Sequence, residues 1–547
     1  MKDFSKKITA YALKNSIEFG KADAGKILPK LFQHGLEKKD IRKIMPEIAK
    51  IVNEINKLGK EEKEKKFKLF STLVREREEK EKTLPELPNA KGKVITRLPP
   101  EPSKYLHLGH ALSFLINYLY AKKYKGKCII RFEDANPEKV SKEYADGIID
   151  DVKNYLGIKV GGIKYVSDDM LKMYKYAVEL IAKNKAFMCF CDREKMQSFR
   201  HEGKECDCRN KSVKENKNEW AEFLAGKYNK GEAVLRFKGD MKNLNHVLRD
   251  PVLFRLINAK HFRQGEKYKV WPMYDFYNPV EDSLMKITHI LRTNEFDARI
   301  ELHEEIKKIL GLKTQTVVQY GRFNVIGAET KGREIRQKIE SGEYSGWDDP
   351  RLVTLKTLKR RGIIKEVLHE LVNYIGLSKK QVNIDFAMIA SISRKILDKK
   401  TNRYFFVHNP VSLKILKMPG IKKIKAKIHP EKKEERTIPV GENILISKDD
   451  YDSFVNKEVR LMNLFNIKLG EKPSFTGMEN KNVQKIQWVS KDAVKVKVMM
   501  DDGKFISGIA EPSISSLSIG DIVQFERFGF ARLDKKNKEY EFWFTHK

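Results

Sequence analysis

A chain of 547 residues and 63.7 kDa is too long for one hydrophobic core and divides into about three to five domains. Lys and Arg total 109 against 75 Asp and Glu, so the formal charge of +34 goes far beyond what solubility requires and points to a polyanionic partner, nucleic acid ahead of membrane. No apolar run approaches a membrane span, the N-terminus opens an amphipathic segment without a signal-peptide core, and five cysteines in so long a chain argue against a disulfide framework; a cytoplasmic protein with no membrane partner is expected.

Residues 1 to about 85 read as helical. Ile41, Ile44, Met45, Ile48, Ile51, Val52 and Ile55 recur at intervals of three and four, and Phe67, Phe70, Leu73 and Val74 continue the stripe inside a Lys/Glu-rich run. The stripe is read as packed core and the charged run as a solvated face. The Pro-containing segment from Leu84 to Gly92 is a linker.

The stretch from Val94 to Ala111 then reads as strand, loop and helix start. Val94 to Arg97 is a β-branched run, Pro99, Pro100 and Pro102 forbid further pairing, and an apolar helix begins near Leu108. His107 and His110 fall on one face of its first turn, where unpaired backbone N–H groups favour an anion, and Gly109 leaves the backbone open to a ligand. This is the equipment of a nucleotide-phosphate site, against the alternative of a helix cap with two solvated histidines. Ala111 to Ala121 is apolar on nearly every side and Lys127 to Phe132 reads as a buried strand, so the unit is β-α-β, with Arg97 and Glu133 at the carboxyl ends of parallel strands where open α/β sheets bind ligands.

Ser141 to Leu156 and Tyr174 to Lys185 read as helices. Cys189-x-Cys191 and Cys206-x-Cys208 enclose a short polar loop, and two thiolate pairs so placed fit a closed, structural tetrahedral zinc site, against the alternative of four reduced cysteines without a metal. Residues 186–258 interrupt the α/β pattern. It resumes with Lys286 to Arg292 as strand, Glu295 to Leu310 as helix and Thr316 to Tyr320 as strand, leaving Tyr274 and Arg292 near element ends. A basic loop, Gly327 to Ile335, follows, and residues 338–400 read as helical. From Asn402 onward strand-like runs dominate, with Asp501-Asp502-Gly503 as a hairpin signal between two of them. Lys422 to Lys427 is a candidate phosphate-contacting stretch, and Phe465 and Trp488 are candidates for stacking on bases, against the alternative of solvated strand faces and core.

Several of these segments, in this order, resemble the signatures of class I glutamyl- and glutaminyl-tRNA synthetases, in the archaeal-type glutamyl form. They are Arg97 to His110, Arg131-Phe-Glu-Asp-Ala-Asn-Pro137, Arg249 to Arg255, Trp271 to Phe276, Thr288 to Arg292, Ser341 to Arg351, Asn402 to Phe406 and Asp521 to Gly529. The resemblance implies a multidomain α/β protein with a Rossmann-type class I catalytic domain. Its expected layout is an N-terminal helical domain (1–88), the first catalytic half (89–185), an inserted acceptor-stem and zinc module (186–258), the second half with the second ATP loop (259–337), a helical connector (338–400) and β-barrel anticodon-binding domains (401–547).

It further implies ATP-binding by Pro99, His107, Gly109, His110 and Lys331, with His107, His110, Lys331 and Arg333 assisting catalysis. Thr330-Lys331 stands for the Ser-Lys pair of the family's second loop, and Lys104 stands where relatives usually have glycine. Arg97, Glu133, Tyr274 and Arg292 line the glutamate pocket, and Cys189, Cys191, Cys206 and Cys208 hold the zinc. ATP with Mg²⁺, L-glutamate and tRNA for glutamate are the implied ligands, with tRNA for glutamine a second candidate acceptor. Arg292 favours glutamate over glutamine, because a guanidinium pairs with a side-chain carboxylate that an amide cannot replace. The alternatives are a glutaminyl-tRNA synthetase, a tRNA-independent nucleotidylyltransferase and a non-enzymatic tRNA-binding scaffold.

Overall fold

The computed structural model describes residues 4–74, 84–490 and 492–547. Residues 75–83, at the end of the expected N-terminal helical stretch, lie outside the described residues. The chain forms two compact units, Met1–Lys82 and Thr83–Lys547.

The N-terminal unit contains α1 (Ser5–Phe19), α2 (Ala24–Leu31), α3 (Ile41–Lys57) and α4 (Lys60–Phe70). The periodic stripe is its core. Ile44, Ile48, Val52 and Ile55 of α3 are buried with Ile8, Leu13, Ile27 and Leu31, and Phe67 and Phe70 pack partly buried against them. Asp23 caps α2 by accepting the Gly25 N–H at 2.7 Å.

The second unit opens with the expected crossover: β1 (Ile95–Leu98), α5 (Leu108–Lys123) and β2 (Lys127–Phe132). β1 and β2 pair in parallel, and β2 pairs in parallel with β3 (Ile163–Tyr165). Between them α6 (Lys142–Asp150) starts at Ser141, whose hydroxyl accepts the Tyr144 N–H. The helix expected through Leu156 widens at Asp151–Tyr155 into a π turn, which accompanies burial of Asp151 and lets the Tyr155 hydroxyl donate to Ile363 O at 2.6 Å.

After α7 (Met170–Ala182), four antiparallel strands follow: β4 (Ala186–Cys189), β5 (Val234–Phe237), β6 (Val252–Leu256) and β7 (Val270–Pro272), with α8 (Arg193–Glu202) and α9 (Val213–Leu224) between the first two. Then α10 (Tyr274–Leu284), β8 (His289–Thr293), α11 (Ile300–Ile309) and β9 (Thr316–Tyr320) restore the parallel pattern. The helix expected from Glu295 begins as a 3₁₀ turn, Asn294–Arg299, and becomes α-helical only at Ile300.

β8 lies beside β1. The Thr288 N–H donates to Ile95 O at 3.0 Å and the Ile95 N–H donates to Thr288 Oγ1 at 2.8 Å. The parallel sheets β3-β2-β1 and β8-β9 therefore adjoin at β1 and β8, and the chain leaves β1 in one direction and returns on its other side. Ligands bind at such a switch point, outside the carboxyl ends of the strands. Asn117, buried on α5, ties the helix across this seam by donating to Leu291 O at 3.3 Å.

β10 (Phe323–Val325) and α12 (Gly332–Glu340) complete the elements around the switch point. Residues 338–400 are mainly helical, with helices at Leu355–Arg360, Lys365–Ile375 and Phe386–Leu397, but Val382–Ile384 adds a short strand parallel to β10.

Beyond Asn402 the chain is mostly β. A seven-stranded sheet joins Arg403–Tyr404 and Phe406–His408 to five strands from Val494 onward, and Val494–Met499 and Phe505–Ala510 form the antiparallel hairpin across Asp501 to Gly503. Phe465 and Trp488 are fully buried, and the Trp488 indole donates to Met462 O at 2.9 Å, so neither ring is free to stack on a base. Lys423, Lys425 and Lys427 are exposed along one strand while Ala426 faces inward. Among the described residues no helix is long and apolar enough to cross a membrane.

Candidate active site

A cavity of about 460 Å³ opens at the switch point. Arg97, Pro99, His107, Gly109, His110, Glu133, Tyr274, Arg292 and Lys331 all line it, so nine residues singled out in the sequence meet in one cleft. Arg333 does not line it; its side chain is exposed on the first turn of α12.

The local fold around the histidines differs from the sequence expectation. His107 is the N-cap of α5 rather than a residue of its first turn. Its Nδ1 accepts the Gly109 N–H at 3.1 Å, its side chain also meets the His110 N–H, and its own N–H donates to His110 Nδ1 at 3.2 Å. The Leu108 N–H donates to Val353 O at 3.0 Å. The first-turn amides expected to be open to an anion are thus already bonded. A Cβ on Gly109 would stand 3.0 Å from His107 Cε1, so the glycine makes room for the folded-back imidazole as well as for a ligand.

The hydrogen bonds set the tautomer. Because Nδ1 of each ring accepts, each neutral imidazole carries its proton on Nε2. Burial, followed by the charges of Lys104 and Arg322, pushes His107 down to about 3; burial, followed by His107 and Lys104, holds His110 well below the usual histidine range. The pair offers two uncharged N–H donors, with ring centroids 3.8 Å apart.

The opposite end of the cleft is a network of buried charges. Asp282 on α10, fully buried, accepts from Arg97 Nε at 3.0 Å and Arg131 Nη1 at 2.6 Å. Arg131 Nη2 reaches Glu133 Oε1 at 3.0 Å, and Glu133 also accepts from the Tyr277 hydroxyl and Asn278 Nδ2, both at 3.3 Å. Burial raises the pKa of Glu133 against the pull of Arg131 and Arg97. Arg97 Nη1 is buried with no hydrogen-bond partner among the described residues.

Arg292, near the end of β8, is 7% exposed. Its Nη1 lies 3.5 Å from the Tyr274 hydroxyl and its guanidinium 5.6 Å from the Phe296 centroid. Among the described residues it makes no ion pair with a carboxylate, and its Nε is buried without a partner. Burial lowers its pKa, and burial raises that of Tyr274 to about 12. The sequence reading missed Asp282, Tyr277 and Asn278. For Asn278 and Asp282 the signal was present, since with Tyr274 they recur every four residues along one face of α10.

A second cluster lies apart from the cleft. The sulfur atoms of Cys189, Cys191, Cys206 and Cys208 all fall within 4.8 Å of one another, with Cys189 Sγ and Cys206 Sγ 3.9 Å apart. Arg236 Nη1 lies 3.6 Å from both of these sulfurs. Four convergent sulfurs beside a guanidinium match the donor set and charge of a tetrathiolate zinc site.

Comparison with known proteins adds to this geometry. Residues 93–399 match the model of the class I (E and Q) tRNA synthetase catalytic domain, and residues 401–487 and 485–534 match two anticodon-binding domain models of the same class. The glutamate–tRNA ligase of Methanosphaera stadtmanae is 36% identical over 564 residues, covering 100% of both chains. That of Methanocaldococcus jannaschii is 36% identical over 548 residues, covering 97% of this chain and 98% of the relative. A solved glutamate tRNA ligase from Elizabethkingia meningosepticum, in complex with its amino acid, is 19% identical with a TM-score of 0.38, covering 57% of this chain and 70% of that one.

Proposed function

The chain belongs to the class I tRNA synthetases for glutamate and glutamine, and from that premise we propose how its cleft ligates L-glutamate to tRNA with ATP. Glutamate–tRNA ligation is its activity; the glutaminyl and tRNA-independent alternatives are not favoured. The observation that carries the amino-acid assignment is Arg292, a nearly buried guanidinium without an acidic partner among the described residues. Arg97 and Arg131 are balanced by Asp282 and Glu133, so among the described residues Arg292 is the excess positive charge at the amino-acid end of the cleft. A glutamate side chain supplies the matching negative charge, whereas glutamine leaves the guanidinium uncompensated.

In this reading Glu133 accepts the substrate ammonium, whose charge offsets the cost of ionising a buried carboxyl. Arg97 Nη1 orients the α-carboxylate, and Tyr274 and Arg292 hold the side chain. The α-carboxylate oxygen attacks the α-phosphorus of ATP, the bond to the β-phosphate breaks, and pyrophosphate departs with the electron pair. A terminal ribose hydroxyl of tRNA then attacks the acyl carbon and AMP leaves. Protein nucleophiles have no part in either step. Catalysis comes from alignment and from donors that meet developing charge. His107 and His110 present Nε2–H to the phosphates, Pro99 and Gly109 shape the nucleotide wall, and Lys331 and Arg333 are the outer cations at the start of α12. Mg²⁺ accompanies ATP, and the cysteine cluster holds a structural zinc.

The proposed layout assigns 1–88 to a helical domain, 89–185 and 259–337 to the two Rossmann-type catalytic halves, 186–258 to the acceptor-stem and zinc module, 338–400 to the connector and 401–547 to β-barrel anticodon-binding domains. The four-stranded antiparallel sheet within the parallel pattern and the β-rich region after Asn402 support it. The acceptors proposed are tRNA for glutamate and, as a second candidate, tRNA for glutamine, in the cytoplasm.

The test is aminoacylation with labelled glutamate or glutamine on separate tRNA species, with His110→Ala as control. Glutamate charging that the substitution reduces strongly supports the reading; charging with glutamine instead would sink the Arg292 assignment.

A further inference from the structure

A lysine enters the phosphate end of the cleft at a position where glycine was the expectation. Lys104 is half-buried, lines the same cavity as His107 and His110, and does not have a left-handed backbone, so the position carries a side chain without strain. Its aliphatic stem lies over Gly332 at the start of α12, where a Cβ would stand 2.5 Å from Lys104 Cδ and 3.4 Å from its Cβ. The flanking residues are fixed. Ser103 O accepts from Arg336 Nη2 at 3.0 Å, and the buried Tyr105 donates to Glu143 Oε1 at 2.6 Å while its ring carries the Lys356 ammonium at 3.6 Å.

The ammonium itself has neither an ion pair nor a hydrogen bond among the described residues. Burial lowers its pKa, partly offset by the charge of Glu101. Lys331, the cation expected from the second ATP loop, is in a different state: its side chain is 71% exposed and its Nζ is 2.7 Å from Glu334 Oε1. Among the described residues the uncommitted cation beside the histidines is therefore Lys104.

We propose that Lys104 is a catalytic residue of this enzyme, its ammonium binding the terminal phosphate oxygens of ATP and neutralising the charge that collects on pyrophosphate as it leaves. The step balances without a proton on the lysine side. The carboxylate oxygen forms its bond to the α-phosphorus, the α–β bridging bond breaks, and the electron pair stays with pyrophosphate. The inference rests on the reading of the cleft as the site of glutamate activation.

Steady-state tRNA charging by the full chain tests it, with Lys104→Met, Lys104→Gly and Lys104→Arg. The two uncharged variants are expected to lose about ten- to a hundredfold in kcat/KM for ATP, as for one charge-assisted hydrogen bond, with KM for glutamate unchanged and Lys104→Arg recovering most of the loss. Gly332→Ala, which displaces the stem, should lower kcat/KM for ATP in the wild-type background and add little to Lys104→Gly. Equilibrium binding of inorganic pyrophosphate should weaken in Lys104→Met, a readout that does not depend on turnover. Wild-type kcat/KM for ATP and wild-type pyrophosphate affinity in Lys104→Met would overturn the role of Lys104 while leaving ATP-dependent charging intact. Failure of the wild-type chain to charge tRNA with glutamate would overturn the reading of the cleft, and this inference with it.

Discussion

A guanidinium taken out of water loses solvation that an anion restores, so on the proposed reading Arg292 discriminates by what it lacks. Replacing it with glutamine is expected to lower kcat/KM for glutamate by about 10²- to 10³-fold, the cost of removing one member of a buried charge pair, and to narrow the preference over glutamine. Charging assays with both amino acids measure the ratio; an unchanged ratio would place side-chain recognition elsewhere. The histidines make a second prediction at this scale. With His107 pushed down to about 3 and His110 also held neutral, both Nε2–H donors persist across the physiological range. The kcat/KM profile for ATP reports the free enzyme and should show no histidine limb between about pH 5.5 and 8. A fall in activity centred near the ordinary histidine pKa would mean that one of these rings titrates.

Among elements, the proposed zinc module would depend for its fold on a group other than packing. Cys189 ends β4, and Cys206 precedes a 3₁₀ turn, Asp207–Asn210, so the ligands come from a strand end and loops with little apolar core of their own. A metal would supply the missing cohesion. Cys206→Ser, or chelation, is expected to release one zinc per chain and lower the melting temperature by about 5 °C or more, followed by elemental analysis and thermal unfolding. A chain that purifies without metal at unchanged stability would refute the assignment. The contrast with α5 is instructive. That helix needs no metal, since Leu108, Leu112, Leu115 and Ile116 bury it in the main core and the His107–His110 capping box closes its start.

For the whole molecule, stability carries a pH dependence traceable to buried carboxyls. Burial raises Glu281 from 4.5 to about 8, and Asp151 from 3.8 to about 7. In the window between these values the folded chain holds protons that the unfolded chain has released, so stability is greatest below the unfolded pKa and declines as pH rises through the folded one. Glu281→Gln removes one such titration. Its melting temperature should gain on wild type progressively from pH 5 to pH 8, and parallel melting curves at all pH values would contradict the assignment.

What the sequence determined by itself was local or repetitive. The apolar period of α3, the β-α-β run ending in Arg97, His107, His110 and Glu133, the cysteine spacing and the Asp-Gly hairpin follow from side-chain period and turn chemistry, which neighbouring residues dictate. The likeness of scattered motifs extended that reading to the activity. Tertiary structure decided which groups remain free. Asp282 cancels two arginines far away in the chain, and Val353 uses the amide of Leu108. The core claims Phe465 and Trp488, leaving Arg292 and Lys104 without acidic partners among the described residues. Charge balance and hydrogen-bond satisfaction depend on contacts between residues distant in sequence, and a linear pattern does not contain them.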